Sequence, residues 1–228
     1  MKNEDRQGPV SRRVHETLRR DILDGKLEIG APLPSERSLA EQFGVNRHAI
    51  REALKRLEQA GLIRITHGGA TRVLDWRDTG GLQVLLDLLD DTFDPPSEIA
   101  RSVIEMRASI GVDAARHCVG RASEEQRLAV RDFAFAAADL VGAGDDEALD
   151  LAFATLWQAI VIGSGNIAYR LSLNSLMQAL AANGDLADRI RPEDSDGIRA
   201  LGEAIARGDE TASIEAARIL LEPDISAF

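Results

Sequence analysis

Cysteine, aromatic residues and long apolar runs are all scarce in this 228-residue chain. The single cysteine, Cys118, has no partner within the chain, which excludes a disulfide-stapled secreted module. No apolar run approaches the roughly 18 residues that a membrane span needs, and the charged start Met1-Lys-Asn-Glu-Asp-Arg is unlike a signal peptide. A cytoplasmic protein with no membrane segment is therefore expected. There is no internal repeat and no low-complexity tract. What is present is a 44% hydrophobic and 29% charged composition, enough apolar material for a real core in one large or two modest domains.

The net charge of −11 argues at first against a nucleic-acid partner, but it is unevenly spread. Residues 1–75 carry 14 Lys and Arg against 11 Asp and Glu, a net of +3, which leaves −14 for residues 76–228. Only the first part can approach a phosphate backbone without strong repulsion.

Periodicity divides the chain in the same place. Val10, Val14, Leu18 and Ile22 recur every four residues, so a first amphipathic helix runs to Asp24 and stops at Gly25. Ile29-Gly-Ala-Pro-Leu-Pro reads as a rigid connector. Ser35 is placed to cap a short helix that ends at Gly44, with Leu39, Ala40 and Phe43 inward, and Asn46 to cap the next, whose Ile50, Ala53, Leu54 and Leu57 form a stripe up to Gly61. Short helix, glycine turn, longer helix is a helix-turn-helix pattern. The period then becomes alternating. Leu62-Ile-Arg-Ile-Thr and Thr71-Arg-Val-Leu flank His67-Gly-Gly-Ala, a β-hairpin that makes the motif a winged one. The organisation expected is a winged helix-turn-helix domain over residues 1–75, a junction over 76–81 and an all-helical domain over 82–228. In the last, Leu82, Leu85, Leu86 and Leu89 form one apolar face, and Asp94-Pro-Pro is a break. Ser97 then caps a helix bearing Ile99, Val103, Met106 and Ile110; Ser123-Glu-Glu-Gln126 fits a capping box, and helices follow over 124–141, 146–162, 167–182, 192–207 and 210–221. The fold class is mainly α.

A recognition helix needs an apolar side to seat it and a polar N-terminal side to reach base edges in the major groove. With Ile50, Leu54 and Leu57 inward, Asn46, Arg47, His48 and Arg51 occupy the exposed beginning of the helix. Arginine pairs bidentately with guanine, and Asn and His hydrogen-bond bases or phosphates, although Asn46 serves equally well as a helix cap. Arg37, at the start of the preceding helix, is in reach of phosphate, and His67, Gly68 and Gly69 form a hairpin tip small enough for a minor groove.

Leu33-Pro-Ser-Glu-Arg-Ser-Leu-Ala, Phe43-Gly-Val-Asn-Arg-His-Ala-Ile-Arg-Glu-Ala-Leu, Gly61-Leu-Ile and His67-Gly together resemble the DNA-binding domain of the GntR family of transcriptional regulators, a match over residues 10–74. Trp76-Arg-Asp-Thr-Gly-Gly-Leu and Gly163-Ser-Gly-Asn-Ile-Ala-Tyr resemble the FadR branch of that family, with its helical effector-binding domain. The resemblance implies that Arg37, Asn46, Arg47, His48, Arg51, His67 and Gly68 contact DNA. Asn46, His48 and Ala49 stand where the FadR branch has threonines, so a different operator sequence is expected.

Many regulators of this superfamily hold a metal through one Asp and three His. Reading back from Gly165-Asn166, the Asp-x-x-x-His pair falls on Phe153 and Trp157, and the other two positions near Ile198 and Leu220, so no metal site is expected. The resemblance implies instead that an apolar interior around Phe153 and Trp157 accepts the acyl chain of a fatty acyl-CoA, with Arg107, Asn166, Tyr169 and Arg170 as donors to its polar head. The function this implies is a homodimeric, non-enzymatic regulator that binds a near-palindromic duplex operator under the control of a small-molecule effector. The alternatives are a ligand-independent repressor and an acyl-CoA-handling enzyme with a vestigial DNA-binding head. His117 and Cys118 are the only nucleophile-like pair for such an enzyme, and as helix neighbours they point apart.

Overall fold

The structure is a computed structural model, described over residues 10–66, 68–88, 97–182 and 184–222. Its contacts divide the chain into two units, Met1–Leu88 and Leu89–Phe228. The fold is mainly α, with a winged helix-turn-helix unit followed by an all-helical one.

The first unit is built on α1 (Val10–Leu23), α2 (Glu36–Phe43) and α3 (Arg47–Gln59). Val14, Leu18 and Ile22 of α1 bury against Leu39 of α2 and Ile50, Ala53, Leu54 and Leu57 of α3, the stripes that the four-residue spacing lays on one side of each helix. The Ser35 hydroxyl accepts from the Ser38 N–H at 3.2 Å to start α2, and Asn46 Oδ1 accepts from the Ala49 N–H at 2.9 Å to start α3. The wing is a two-stranded antiparallel sheet, β1 (Ile63–Arg64) and β2 (Arg72–Val73), with Ile63 opposite Val73 and Arg64 opposite Arg72.

The structure adds to the sequence reading in two places here. The connector around Pro32 lies along β2 as a further edge: the N–H groups of Gly30 and Leu33 donate to Val73 and Thr71, and Val73 donates back to Ala31. Its two prolines read as a rigid connector, and Pro is compatible with a sheet edge where its missing donor faces away from the ladder. The stretch expected as a junction is in part helical. Asp75 caps a one-turn helix α4 (Trp76–Thr79), and Thr79 Oγ1 donates to the Gly61 carbonyl at 2.6 Å. Gly61 has φ +75°, and a Cβ there would lie 2.1 Å from the Thr79 carbonyl oxygen, so α4 closes directly onto the turn that follows α3. In α5 (Leu82–Asp87), Val84 joins this core and Leu82 is exposed, the reverse of the leucine face read from the sequence, and the contacts of the first unit run on to Leu88. Of that face, the side chains of Leu85 and Leu86, together with Leu89 and the Asp94-Pro-Pro break, lie outside what is described.

The second unit comprises α6 (Ser97–Arg121), α7 (Glu124–Leu140), α8 (Asp146–Gly163), α9 (Ile167–Ala182), α10 (Gly184–Arg189), α11 (Ser195–Arg207) and α12 (Glu210–Leu221). The packing is chiefly α7 against α11 and α8, and α6 against α12 and α8. Leu156, Ile160, Ile198, Leu201 and Ile205 form the fully buried centre, with alanines at the helix crossings. Gly202 allows a close approach of α11 to α7, since a Cβ there would sit 2.5 Å from that of Ala134. Ser123 and Gln126 form the capping box the sequence carries. Helix α11 begins at Ser195 rather than at 192, because Asp194 Oδ1 accepts from the Gly197 N–H at 2.8 Å and fixes the cap there.

Candidate nucleic-acid interface and effector cavity

The first turn of α3 is an exposed polar ledge on a buried apolar seat. Asn46, Arg47, His48 and Arg51 are all exposed, while Ile50, one residue before Arg51, is fully buried. Arg51 Nε donates to Glu36 Oε2 on α2 at 2.8 Å, and Arg37 Nε to Glu41 Oε1 at 2.9 Å within α2. With side chains 65% and 75% exposed, these two arginines stand in surface ion pairs worth about 0–1 kcal/mol, so a phosphate or a base edge can take either guanidinium at small cost. Among the described residues, Arg47, His48, Lys55 and Arg64 make no ion pair or side-chain hydrogen bond. In the acidic second unit, by contrast, Arg101, Arg116, Arg131, Arg199, Arg207 and Arg218 are each paired with a carboxylate. Arg47, Lys55 and Arg64 are thus open cations of the winged unit, while in the second unit Arg170 has no carboxylate partner among the described residues and Arg121 and Arg127 bond to backbone carbonyls. Gly68, at the hairpin tip, is exposed with φ +76°, and His67 lies outside the described residues.

Arg64 was not singled out by the sequence reading. It faces solvent from β1 directly opposite Arg72, a like-charge cross-strand pair that is unfavourable by itself and is eased by an anion. Arg72 Nη1 is tied to the Gly30 carbonyl at 2.7 Å, which leaves Arg64 as the open cation of the wing. The strand alternation, Ile63 in and Arg64 out, was the signal available.

In the second unit, α6, α8, α9 and the α10–α11 connector enclose a largely apolar cavity of about 290 Å³. Arg107, Phe153 and Trp157 line it, and the two aromatic rings meet edge to face with centroids 6.1 Å apart. Asn166, Tyr169 and Arg170 do not. Asn166 Oδ1 accepts from the Ala168 N–H at 3.0 Å to start α9, the Tyr169 hydroxyl donates to Asp113 Oδ2 on α6, and Arg170 is exposed. Gly163-Ser-Gly-Asn is thus the corner between α8 and α9. It is fixed by the buried Ser164, whose Oγ donates to the Val161 carbonyl at 2.7 Å and whose carbonyl accepts from Arg121 at 2.9 Å. The sequence reading missed Asp150 and Arg191, which do line the cavity and are paired with each other.

The side chains at the metal positions of the superfamily do not fit a metal: Phe153, Trp157 and Ile198 are buried hydrocarbon or indole, and Leu220 packs against the same core. Among the described residues no three His, Cys, Asp or Glu side chains converge on one point. Cys118 is fully buried, and burial pushes its thiol up to about 11, the opposite of an activated nucleophile.

Asp113 sits at the tie between α6 and α9. Hydrogen bonds from Tyr169 and Arg116 hold its carboxyl below the usual carboxylate range. A carboxyl whose folded pKa is depressed stabilises the fold above the unfolded value, near 4, and loses that contribution as pH falls through the folded value. Carboxyl carbon shifts followed by NMR across this range are expected to show Asp113 titrating below the ordinary aspartates. The Tyr169→Phe substitution moves the midpoint up.

Comparisons with known proteins follow the two units. The family described as "Bacterial regulatory proteins, gntR family" matches residues 10–73, and the FCD domain matches residues 102–223. The HTH-type transcriptional regulator Mce2R of Mycobacterium tuberculosis is 35% identical over 225 residues, 94% of this chain and 91% of that protein. A fatty acid metabolism regulator protein of Edwardsiella ictaluri is 31% identical over 163 residues, 72% of this chain and 66% of that one. Among solved structures, a Streptococcus agalactiae GntR protein superposes with a TM-score of 0.50 at 22% identity, over 95% of this chain and 99% of that one. Lar of Listeria monocytogenes superposes with a TM-score of 0.56 at 15% identity, over 98% of both chains, and shares the fold.

Proposed function

Because the chain belongs to the GntR family of bacterial regulatory proteins and carries an FCD domain, we propose that it is a homodimeric transcriptional regulator whose grip on a near-palindromic operator is set by an effector with an apolar chain, held in the cavity of the second unit. The observation that carries this reading is the exposed start of α3 on its buried apolar seat, with Arg47 open and Arg51 held only by a surface pair, in a chain of net charge −11. Arg47 and Arg51 read base edges, Arg37 and Arg64 take phosphates, and the tip at His67 and Gly68 enters the minor groove. A two-fold dimer presents two such heads and so favours a two-fold site.

On the effector side, Phe153 and Trp157 offer the apolar wall that a hydrocarbon chain needs, each buried CH₂ contributing about 0.8 kcal/mol. A fatty acyl-CoA is the form that similarity to fatty acid metabolism regulators suggests. The effector acts by binding one domain arrangement better than another, and its differential affinity limits the shift. Native mass spectrometry of the protein as purified, followed by gel-shift titration with and without the recovered molecule, tests both halves. The reading expects an apolar passenger that changes operator affinity; a protein that ignores duplex DNA under all conditions overturns it.

A further inference from the structure

The cavity has one wall that hydrophobic burial does not explain. Arg191, on the connector between α10 and α11, lines it and is mostly buried, with 21% of its side chain exposed. Its guanidinium grips Asp150 of α8 in a two-point pair, Nε to Oδ1 and Nη2 to Oδ2, both at 2.9 Å. Asp146 and Asp188 complete its partners at 3.1 and 2.8 Å. The planar fork of an arginine matches a carboxylate, and here the protein's own carboxylate fills it, beside an otherwise apolar space.

The two partners differ in how firmly they are held. Asp150 is 42% exposed, so it can turn to water when another carboxylate takes its place; Arg191 is the enclosed member and keeps Asp188. Arg107 also lines the cavity, and Asp150 is the one of the three carboxylates on Arg191 that shares the cavity wall with it. The volume of about 290 Å³ lies at the small end for ligand pockets, which favours a short or medium chain over a long one.

We infer that Arg191 is the head-group receptor of this cavity, and that the ligand it takes is a medium-chain free carboxylate, which displaces Asp150 from the guanidinium while its hydrocarbon tail packs on Phe153 and Trp157. The inference rests on the apolar-effector reading above and adds the identity of the head. Asp150 is a built-in competitor: it keeps Arg191 satisfied in the empty state and sets a threshold concentration for the ligand.

Calorimetric titration of the full chain with decanoate, 1-decanol and decanoyl-CoA tests this. Wild type binds decanoate about tenfold or more tightly than decanol, the weight of a charge-assisted pair. Arg191→Ala erases that preference and leaves decanol binding unchanged, which also reports an intact cavity. Asp150→Asn strengthens decanoate severalfold and leaves decanol alone, so a poorly folding Arg191→Ala protein does not remove the test. Equal binding of decanoate and decanol by wild type overturns the inference. So does equal weakening of both by Arg191→Ala, or tight decanoyl-CoA binding that is indifferent to Arg191. Where decanol or decanoyl-CoA still binds, the apolar-effector reading stands without this head group; where none of the three binds, that reading fails as well.

Discussion

Replacing Arg47 and Arg51 together by alanine lowers the affinity for operator duplex by about a hundredfold or more, at about 1–3 kcal/mol for each guanidinium. Both side chains are exposed and neither seats α3, so circular dichroism of the double variant matches the parent. The loss comes from the interface and not from unfolding. Arg51 gives up its pair with Glu36 to bind, so Glu36→Gln, which frees the guanidinium and removes an anion beside the DNA, strengthens binding modestly. The effect of Arg47→Ala varies with base sequence, whereas that of Arg64→Ala is uniform across sequences and flattens the salt dependence, as a phosphate contact does. Fluorescence anisotropy with operator and scrambled duplexes reads all of these. Operator affinity that is unmoved in the double variant would remove α3 from the interface.

The largest change in stability is expected from Gly61→Val. A Cβ at this position meets the Thr79 carbonyl at 2.1 Å, with backbone on both sides of the contact, and φ +75° is strained for any β-branched residue. Relief requires α4 to lift away, which breaks the bond from Thr79 Oγ1 to the Gly61 carbonyl. Together these cost about 3 kcal/mol or more. Hydrogen exchange is the sharpest measurement, because loss of protection should concentrate at the end of α3, in β1 and in α4. Gly61→Ala shows the same pattern at smaller amplitude. A Gly61→Val protein with parental protection would mean that the close approach of α4 is unimportant.

How legible these features were depended on the range of the interaction behind each. The stripe Ile50, Ala53, Leu54 and Leu57 follows from helical spacing alone, and the caps at Ser35, Asn46 and Ser123 join residues three apart, so both could be read directly. The hairpin was legible as alternation around glycines. The edge at Gly30–Leu33 was hidden because its prolines mark a rigid connector and its ladder partner is about 40 residues away, and the docking of α4 because it joins Thr79 to Gly61 across 18 residues. In the second unit, Phe153 and Trp157 could be placed on one face because they lie i, i+4 on one helix. Arg191 and Asp150 are 41 residues apart, with no local pattern to join them. The stretch at Asn166 and Tyr169 lies off the cavity wall and shapes a tight helix corner, and such corners are polar and glycine-rich, as ligand-binding loops are.

The cap that starts α3 narrows what the reading head can say. Asn46 commits one lone pair of Oδ1 to the Ala49 amide, which leaves its amide hydrogens as the freer part to offer the duplex. An asparagine in that posture is poorly placed for the paired give-and-take by which a free one recognises adenine. Arg47 and Arg51 beside it only give, and His48 is the one neighbour whose ring can also receive. Such a head is matched to base edges that only receive, and guanine, with N7 and O6 side by side, is the one purine that does so; each half-operator should therefore place guanines beneath the first turn of α3.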